Sequence, residues 1–159
     1  MTTSQPPMPP TPVLETRRLI LRPLRQEDVP AIQRRFPRWE VVRYLAAHVP
    51  WPYPDDGAAS HVAHCLGQMA RGEKCFWSIV LKDGPDELIG RIELWPDDGV
   101  SRDQRGFWLD PAFAGQGLMT EAAERKFTIN FHAFLLRSPQ DATATARQRV
   151  GQLLGHTSI

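Results

Sequence analysis

Cysteine is scarce: Cys65 and Cys75 are the only two in 159 residues, and a pair ten apart matches no zinc spacing and makes no disulfide framework for a chain of this size. An excess of either charge is missing as well. With 19 Lys and Arg against 18 Asp and Glu, the net charge is +1, so no broad field draws nucleic acid or an anionic membrane. The one basic stretch, "LLRSPQDATATARQR", lacks the interleaved aromatics of a single-strand binder. Long hydrophobic runs are absent too: none approaches the ~18 apolar residues of a membrane span. The opening "MTTSQPPMPPTP" has neither the basic start nor the apolar core of a secretory leader. These absences predict a reducing, cytoplasmic setting without membrane or nucleic-acid partners.

What is abundant is proline, 15 residues, five of them before Val13. Residues 1–12 therefore read as a flexible extended arm, and residues 13–159 as a single domain. "RLILRPL" (18–24) alternates enough apolar and basic residues for a strand with one buried face. Gln26-Glu27-Asp28 opens a helix to about Arg35, with Asp28 and Pro30 near its start. "WEVVRYL" (39–45) has the spacing of a short amphipathic helix, "VPWPYPDDG" (49–57) is a loop, and a helix over 58–71 ends at Gly72.

The runs "CFWSIVLK" (75–82) and "LIGRIELWP" (88–96), separated by "DGPDE", predict a β-hairpin. "RGFWLDP" (105–111) adds a third strand ending at Pro111. Then comes "FAGQGLMTEAAE" (113–124), a glycine turn leading into a helix expected over about 118–131. The order predicts an α/β (α+β) plan.

A strand, a glycine turn and a helix converge free N–H groups and the positive end of a helix dipole on one spot, which suits an anion. Gly115 and Gly117 provide the turn, with the backbone of Gln116 to Thr120 as donors. The pattern is neither a P-loop nor a dinucleotide fingerprint. On spacing alone, a purely structural turn and a ligand cradle both remain open. His61 and His64, three apart beside Cys65, have no third ligand at suitable spacing, so no metal is expected.

Together, "LETRRLILRPLRQED", "WEVVRYL", "PYPDDGAASHV", "FWSIVLKDGPDELIGRIEL" and "GFWLDPAFAGQGLMTEA" resemble the GNAT acetyltransferase superfamily, in particular its ribosomal-protein-alanine N-acetyltransferase (RimJ/RimL-like) branch. The likeness runs from Leu14 onward. The family's loop has Gln or Arg, two residues, Gly, one residue, then Gly or Ala. Here Ala114 holds the first place, Gly117 matches, and Met119 takes the last. The resemblance implies a mixed, mostly antiparallel sheet flanked by helices, acetyl-CoA as cosubstrate, no metal, and acetyl transfer to a primary amine, either a protein N-terminus or a small molecule.

It also implies roles. Gln116, Gly117, Leu118, Met119 and Thr120 would hold the pyrophosphate, and a backbone N–H near Trp108 or Leu109 would face the acyl oxygen. Glu93 resembles the position from which family carboxylates act as base, its competing role being a surface carboxylate balancing Arg91. Tyr44, Trp51 and Tyr53 would wall the acceptor site, or else anchor the core and loop. Beyond Phe134 the likeness weakens: Ala144, Arg147 and His156 replace the expected Asn, Ser and Phe, and the final strand is missing. Two expectations follow, a homodimer through the open sheet edge and, as the alternative to an enzyme, a non-catalytic acyl-CoA-binding module.

Overall fold

The computed structural model describes residues 7, 8, 10–43, 45, 49–95 and 105–125. The chain divides into two compact units, Met1–Ala123 and Glu124–Ile159. Everything below concerns the first; of the second, only Glu124 and Arg125 are described, as helix.

Five strands make one sheet in the order β1 (Leu14–Glu15), β2 (Leu19–Pro23), β3 (Cys75–Leu81), β4 (Gly90–Leu94) and β5 (Arg105–Leu109). Every neighbouring pair is antiparallel. β3 sits in the middle, which is why "CFWSIVL" is nearly continuous in apolar residues: six of its seven positions are buried, on both faces. The two-residue β1 escaped the sequence reading, being shorter than a periodicity can register.

Register divides the side chains cleanly. Leu21, Ile79, Trp77 and Ile92 occupy one face, while Arg22, Ser78, Phe76, Arg91, Glu93 and Trp108 share the other. On that second face lie α1 (Val29–Arg35) and α3 (Gly57–Ala70), whose Ala31, Ile32, Val62 and Cys65 pack with Phe76, Leu88 and Trp108 in one core. α2 (Trp39–Val42) adds Val41 to it. A fourth helix, α4, starts at Leu118 and is described to residue 125; the rest of the helix expected to 131 lies outside the described residues.

Both ends of α3 and the start of α1 have a physical cause. α3 stops in a Schellman motif: Gly72, at φ +67°, donates to the Met69 carbonyl, and Glu73 donates to Gln68. At the other end of α3, Gln33 of α1 accepts from the Ala58 N–H at 3.0 Å and donates to the Pro54 carbonyl at 3.0 Å. α1 follows a 3-10 turn at Gln26–Asp28 with Pro30 in its first turn. Asp28 accepts from the Arg25 N–H at 3.1 Å, but most of its bonds go elsewhere. Buried, it takes two from Arg22 at 2.7 and 2.9 Å and one from the Ser78 hydroxyl at 2.7 Å, joining β2, β3 and α1.

The proline-rich arm touches the domain. Met8 N–H donates to the Gly72 carbonyl at 2.7 Å, and the Pro12 carbonyl accepts from the Trp77 indole at 2.8 Å. Among the described residues, no helix is long and apolar enough to cross a membrane.

Candidate active site

Glu93 and Arg91 are two apart on β4 and so point to the same side, toward α3. Opposite Glu93 in β5 stands Gly106, and a Cβ there would come within 2.0 Å of Glu93 Oε1. The missing side chain is what lets the carboxylate lie across the neighbouring strand. Arg91 is paired with Trp108, whose buried indole packs edge-on against Phe36, with ring centroids 5.2 Å apart. Phe36 in turn meets Tyr53 at 5.3 Å.

These residues enclose a cavity of about 470 Å³ with Glu93 and Arg91 on its floor, His61 at one side, and Tyr53, Phe36 and Trp108 among its walls. Gly57 makes room for the Tyr53 ring, since a Cβ on it would approach Cζ to 2.7 Å. A polar chain runs along the cavity: His61 Nε2 lies 3.4 Å from Cys65 Sγ, Arg91 Nη1 lies 3.6 Å from the same sulfur, and Arg91 Nη2 is 3.8 Å from Glu93 Oε2. Burial raises the Cys65 thiol pKa, which keeps the sulfur protonated and unreactive. The cavity walls and then Arg91 disfavour an imidazolium, so His61 titrates below its ordinary range. His61 is nonetheless exposed to solvent.

A second hollow of about 740 Å³ adjoins the first. It is lined by Glu40 and Val41 of α2, by Leu109, and by Gly115, Gly117, Leu118, Met119 and Thr120 of the glycine turn; Gln116 is beside it but not in its lining. Both glycines have left-handed backbones, φ +78° and +77°. A side chain at Gly115 would meet open space, so dihedral preference rather than crowding requires glycine there. The first helical bond of α4 is from Glu121 N–H to the Gly117 carbonyl; the amides of Leu118, Met119 and Thr120 therefore precede the ladder and are available to a ligand. Leu45, Phe107 and Trp108 line both hollows, which are therefore neighbours.

Two supports hold the turn in place, and neither was apparent in the sequence. Buried Asp110 caps the 3-10 turn Pro111–Phe113 through the Ala112 N–H at 3.0 Å and accepts from Arg35 at 2.6 Å. Glu121 accepts from the Thr16 hydroxyl and from Arg18 Nε at 3.0 Å, tying the start of α4 to the β1–β2 turn.

The β5 ladder separates the two strand residues named from the sequence. Asp110 N–H donates to Ile89 at 2.8 Å, continuing the β4–β5 register; by alternation, Trp108 N–H faces Arg91 and Leu109 N–H points away from β4. A backbone donor on the outer edge is thus Leu109, and Trp108 contributes its indole as packing. Tyr53 is in the cavity wall, whereas half-exposed Trp51 rests against Trp39 at 5.7 Å and lines neither hollow. Tyr44, Ala144, Arg147, His156 and the region in which the last strand was expected to be missing lie outside the described residues. No group of three or more His, Cys, Asp or Glu among the described residues could hold a metal.

Residues 18–155 match the Acetyltransferase (GNAT) domain family. The chain is a GNAT acetyltransferase. Acetyl-CoA is accordingly its acetyl donor, and the glycine turn, with its three amides ahead of the α4 ladder, fits a phosphorylated donor. No curated protein matches the sequence. Solved structures share the fold. RimL, the ribosomal L7/L12 alpha-N-protein acetyltransferase solved with coenzyme A, is 21% identical with a TM-score of 0.60 over 76% of this chain and 68% of its own. An acetyltransferase from Agrobacterium tumefaciens is 25% identical, with a TM-score of 0.61 over 88% and 82%. The microcin C7 self-immunity acetyltransferase MccE, solved with acetyl-CoA and AMP, is 14% identical, with a TM-score of 0.56 over 71% and 62%.

Proposed function

We propose that this acetyltransferase acetylates a primary amine, of a protein N-terminus or a small molecule, bound in the Glu93 cavity. The observation that supports this reading is that the cavity and the glycine-turn hollow share Leu45, Phe107 and Trp108 in their walls. A carboxylate and a phosphate cradle then stand in neighbouring hollows.

The donor brings an activated acyl group. The chain's part is to hold it, to make the amine neutral and to exclude water. Backbone N–H groups from Gln116 to Thr120 hold the pyrophosphate, and the outward N–H of Leu109 is the strand donor for the acyl oxygen. Glu93 takes the proton from the incoming ammonium. The apolar walls, Tyr53 and Phe36 among them, surround the acceptor's body.

Thiol release on mixing with acetyl-CoA and a panel of amines tests the reading; binding of acetyl-CoA with no release for any amine would instead favour a non-catalytic module. Two substitutions refine it. Gly106→Val places carbon where the Glu93 carboxylate lies, and should cut turnover by about 10-fold to 100-fold without removing the acid. Gly117→Val forces a β-branched residue to a positive φ, a strain of ~1–3 kcal/mol. It should weaken acetyl-CoA binding by roughly tenfold, read by calorimetry; unchanged affinity would remove the pyrophosphate from this turn.

A further inference from the structure

Arg91 is in an unusual position for a guanidinium. It is 8% exposed, lies on the floor of the acceptor cavity, and carries five N–H donors. Against these the protein sets a neutral thiol at 3.6 Å, the face of Phe76 at 5.2 Å and the Glu93 carboxylate at 3.8 Å. A thiol is a weak acceptor, an aromatic face is a partial substitute for an anion, and 3.8 Å is too long for a hydrogen bond. Arg22, on the same face of the sheet, has three hydrogen bonds to carboxylates, two to Asp28 at 2.9 and 2.7 Å and one to Asp86 at 2.8 Å, and a weaker one to the Pro23 carbonyl at 3.5 Å. The contrast is between a cation whose partners are built in and one whose donors are left facing a cavity. Burying a charge is unfavourable unless it is paired, so the cavity floor is arranged for a partner that arrives from outside.

From this we infer that the acceptor carries a carboxylate close to its amine: it is a free α-amino acid with an apolar side chain. The inference rests on reading this cavity as the acceptor site. Arg91 and Glu93 are one cation and one anion 3.8 Å apart on adjacent same-face positions. An α-amino acid offers the complementary pair, its ammonium and carboxylate being separated by a single carbon. With the carboxylate on Arg91, the amine is delivered beside Glu93. The apolar walls, Ile32, Phe36, Tyr53 and Trp108 among them, receive the side chain, and about 470 Å³ is room for one of aromatic size. A peptide N-terminus has an amide where the free amino acid has its carboxylate, and leaves Arg91 with Glu93 at 3.8 Å, the same carboxylate that must take the amine's proton.

The test compares thiol release from acetyl-CoA with phenylalanine, phenylalaninamide and 2-phenylethylamine. The amide has the more readily deprotonated amine, because a neighbouring carboxylate favours the ammonium form; basicity alone would therefore rank it ahead of the acid. The expected result is the reverse, kcat/KM for phenylalanine exceeding that for the amide by about 100-fold. Arg91→Met should collapse that ratio to within about threefold, and Arg91→Lys should retain part of it, since the charge remains but the fork does not. Equal use of acid and amide by the unmodified protein overturns the inference and needs no variant to show it. So does an Arg91→Met protein that loses acid and amide turnover in the same proportion, the signature of a merely structural arginine. Efficient turnover of a peptide or of phenylethylamine with none of phenylalanine overturns the inference but leaves the acetyltransferase reading standing, whereas no release from any amine removes both.

Discussion

Glu93→Gln should lower kcat/KM for acetyl transfer by about 10²–10³, the contribution of a positioned general base, while acetyl-CoA affinity and unfolding stay near those of the unmodified protein. Glutamine keeps the volume over Gly106 and can still hydrogen-bond, but it cannot take a proton. Turnover by the variant should climb as pH rises, because free amine then accumulates in solution and the missing base matters less. Steady-state rates across pH measure both effects. A variant within about threefold of the original rate would return Glu93 to the role of a carboxylate balancing Arg91.

Asp28→Ala should give the largest loss of stability. The carboxylate is buried and accepts two hydrogen bonds from Arg22, one from Ser78 and one from the Arg25 backbone. Its removal leaves Arg22 buried with, among the described residues, the exposed Asp86 as its remaining counterion, and stranding one member of such a pair costs about 3–5 kcal/mol. Denaturant midpoints measure it; a loss below about 1 kcal/mol, the scale of an exposed pair, would mean that the network is dispensable.

The pH dependence has a definite sign. Burial by itself would raise the Asp28 pKa, but the hydrogen bonds from Arg22 and Ser78 outweigh it and hold the carboxyl below its ordinary 3.8. A group depressed on folding contributes stability that is complete above its unfolded value and disappears as pH falls through the folded one. The acid limb of the stability curve below about pH 4 should therefore be shallower in Asp28→Ala than in the original protein.

Much of the fold could be read in the chain because local rules and tertiary demands agree in it. The hairpin of β3 and β4 was legible as two apolar runs around a Gly/Pro/Asp cluster, and Gly72 as a helix stop, since its left-handed backbone is what a Schellman end requires. The glycine turn was legible for the same reason. Asp28 was only half legible. A carboxylate at a helix start is expected as a cap, and it does accept one N–H there, but Arg22 and Ser78 come from strands that local sequence cannot bring beside it.

Of the candidate cavity's lining, Glu93, Tyr53 and Trp108 were named from the sequence and the rest was hidden. Glu93 was accessible through likeness to a family; Arg91, His61, Phe36 and Gly106 were not assigned to a site. Counting outward along β4 and β5 from their turn could have paired Gly106 with Glu93, but a one-residue slip would have put the carboxylate on the opposite face. Only the closed ladder settles which residue lies beneath it. Trp51, aromatic and next to prolines, had the composition of a site wall, yet it lies on Trp39 instead.

The sequence by itself determined the longer elements, their order, the left-handed turn before α4 and the family, because these follow from period, from glycine's missing Cβ and from motif. Tertiary structure decided which side chains share a space: that a carboxylate from β4 lies over a glycine of β5, that Arg91 faces a cavity with weak partners, and that this cavity neighbours the hollow at the turn. Those are juxtapositions across strands and between a sheet and its helices, set by register and packing, and no local stretch of chain contains both halves of any of them.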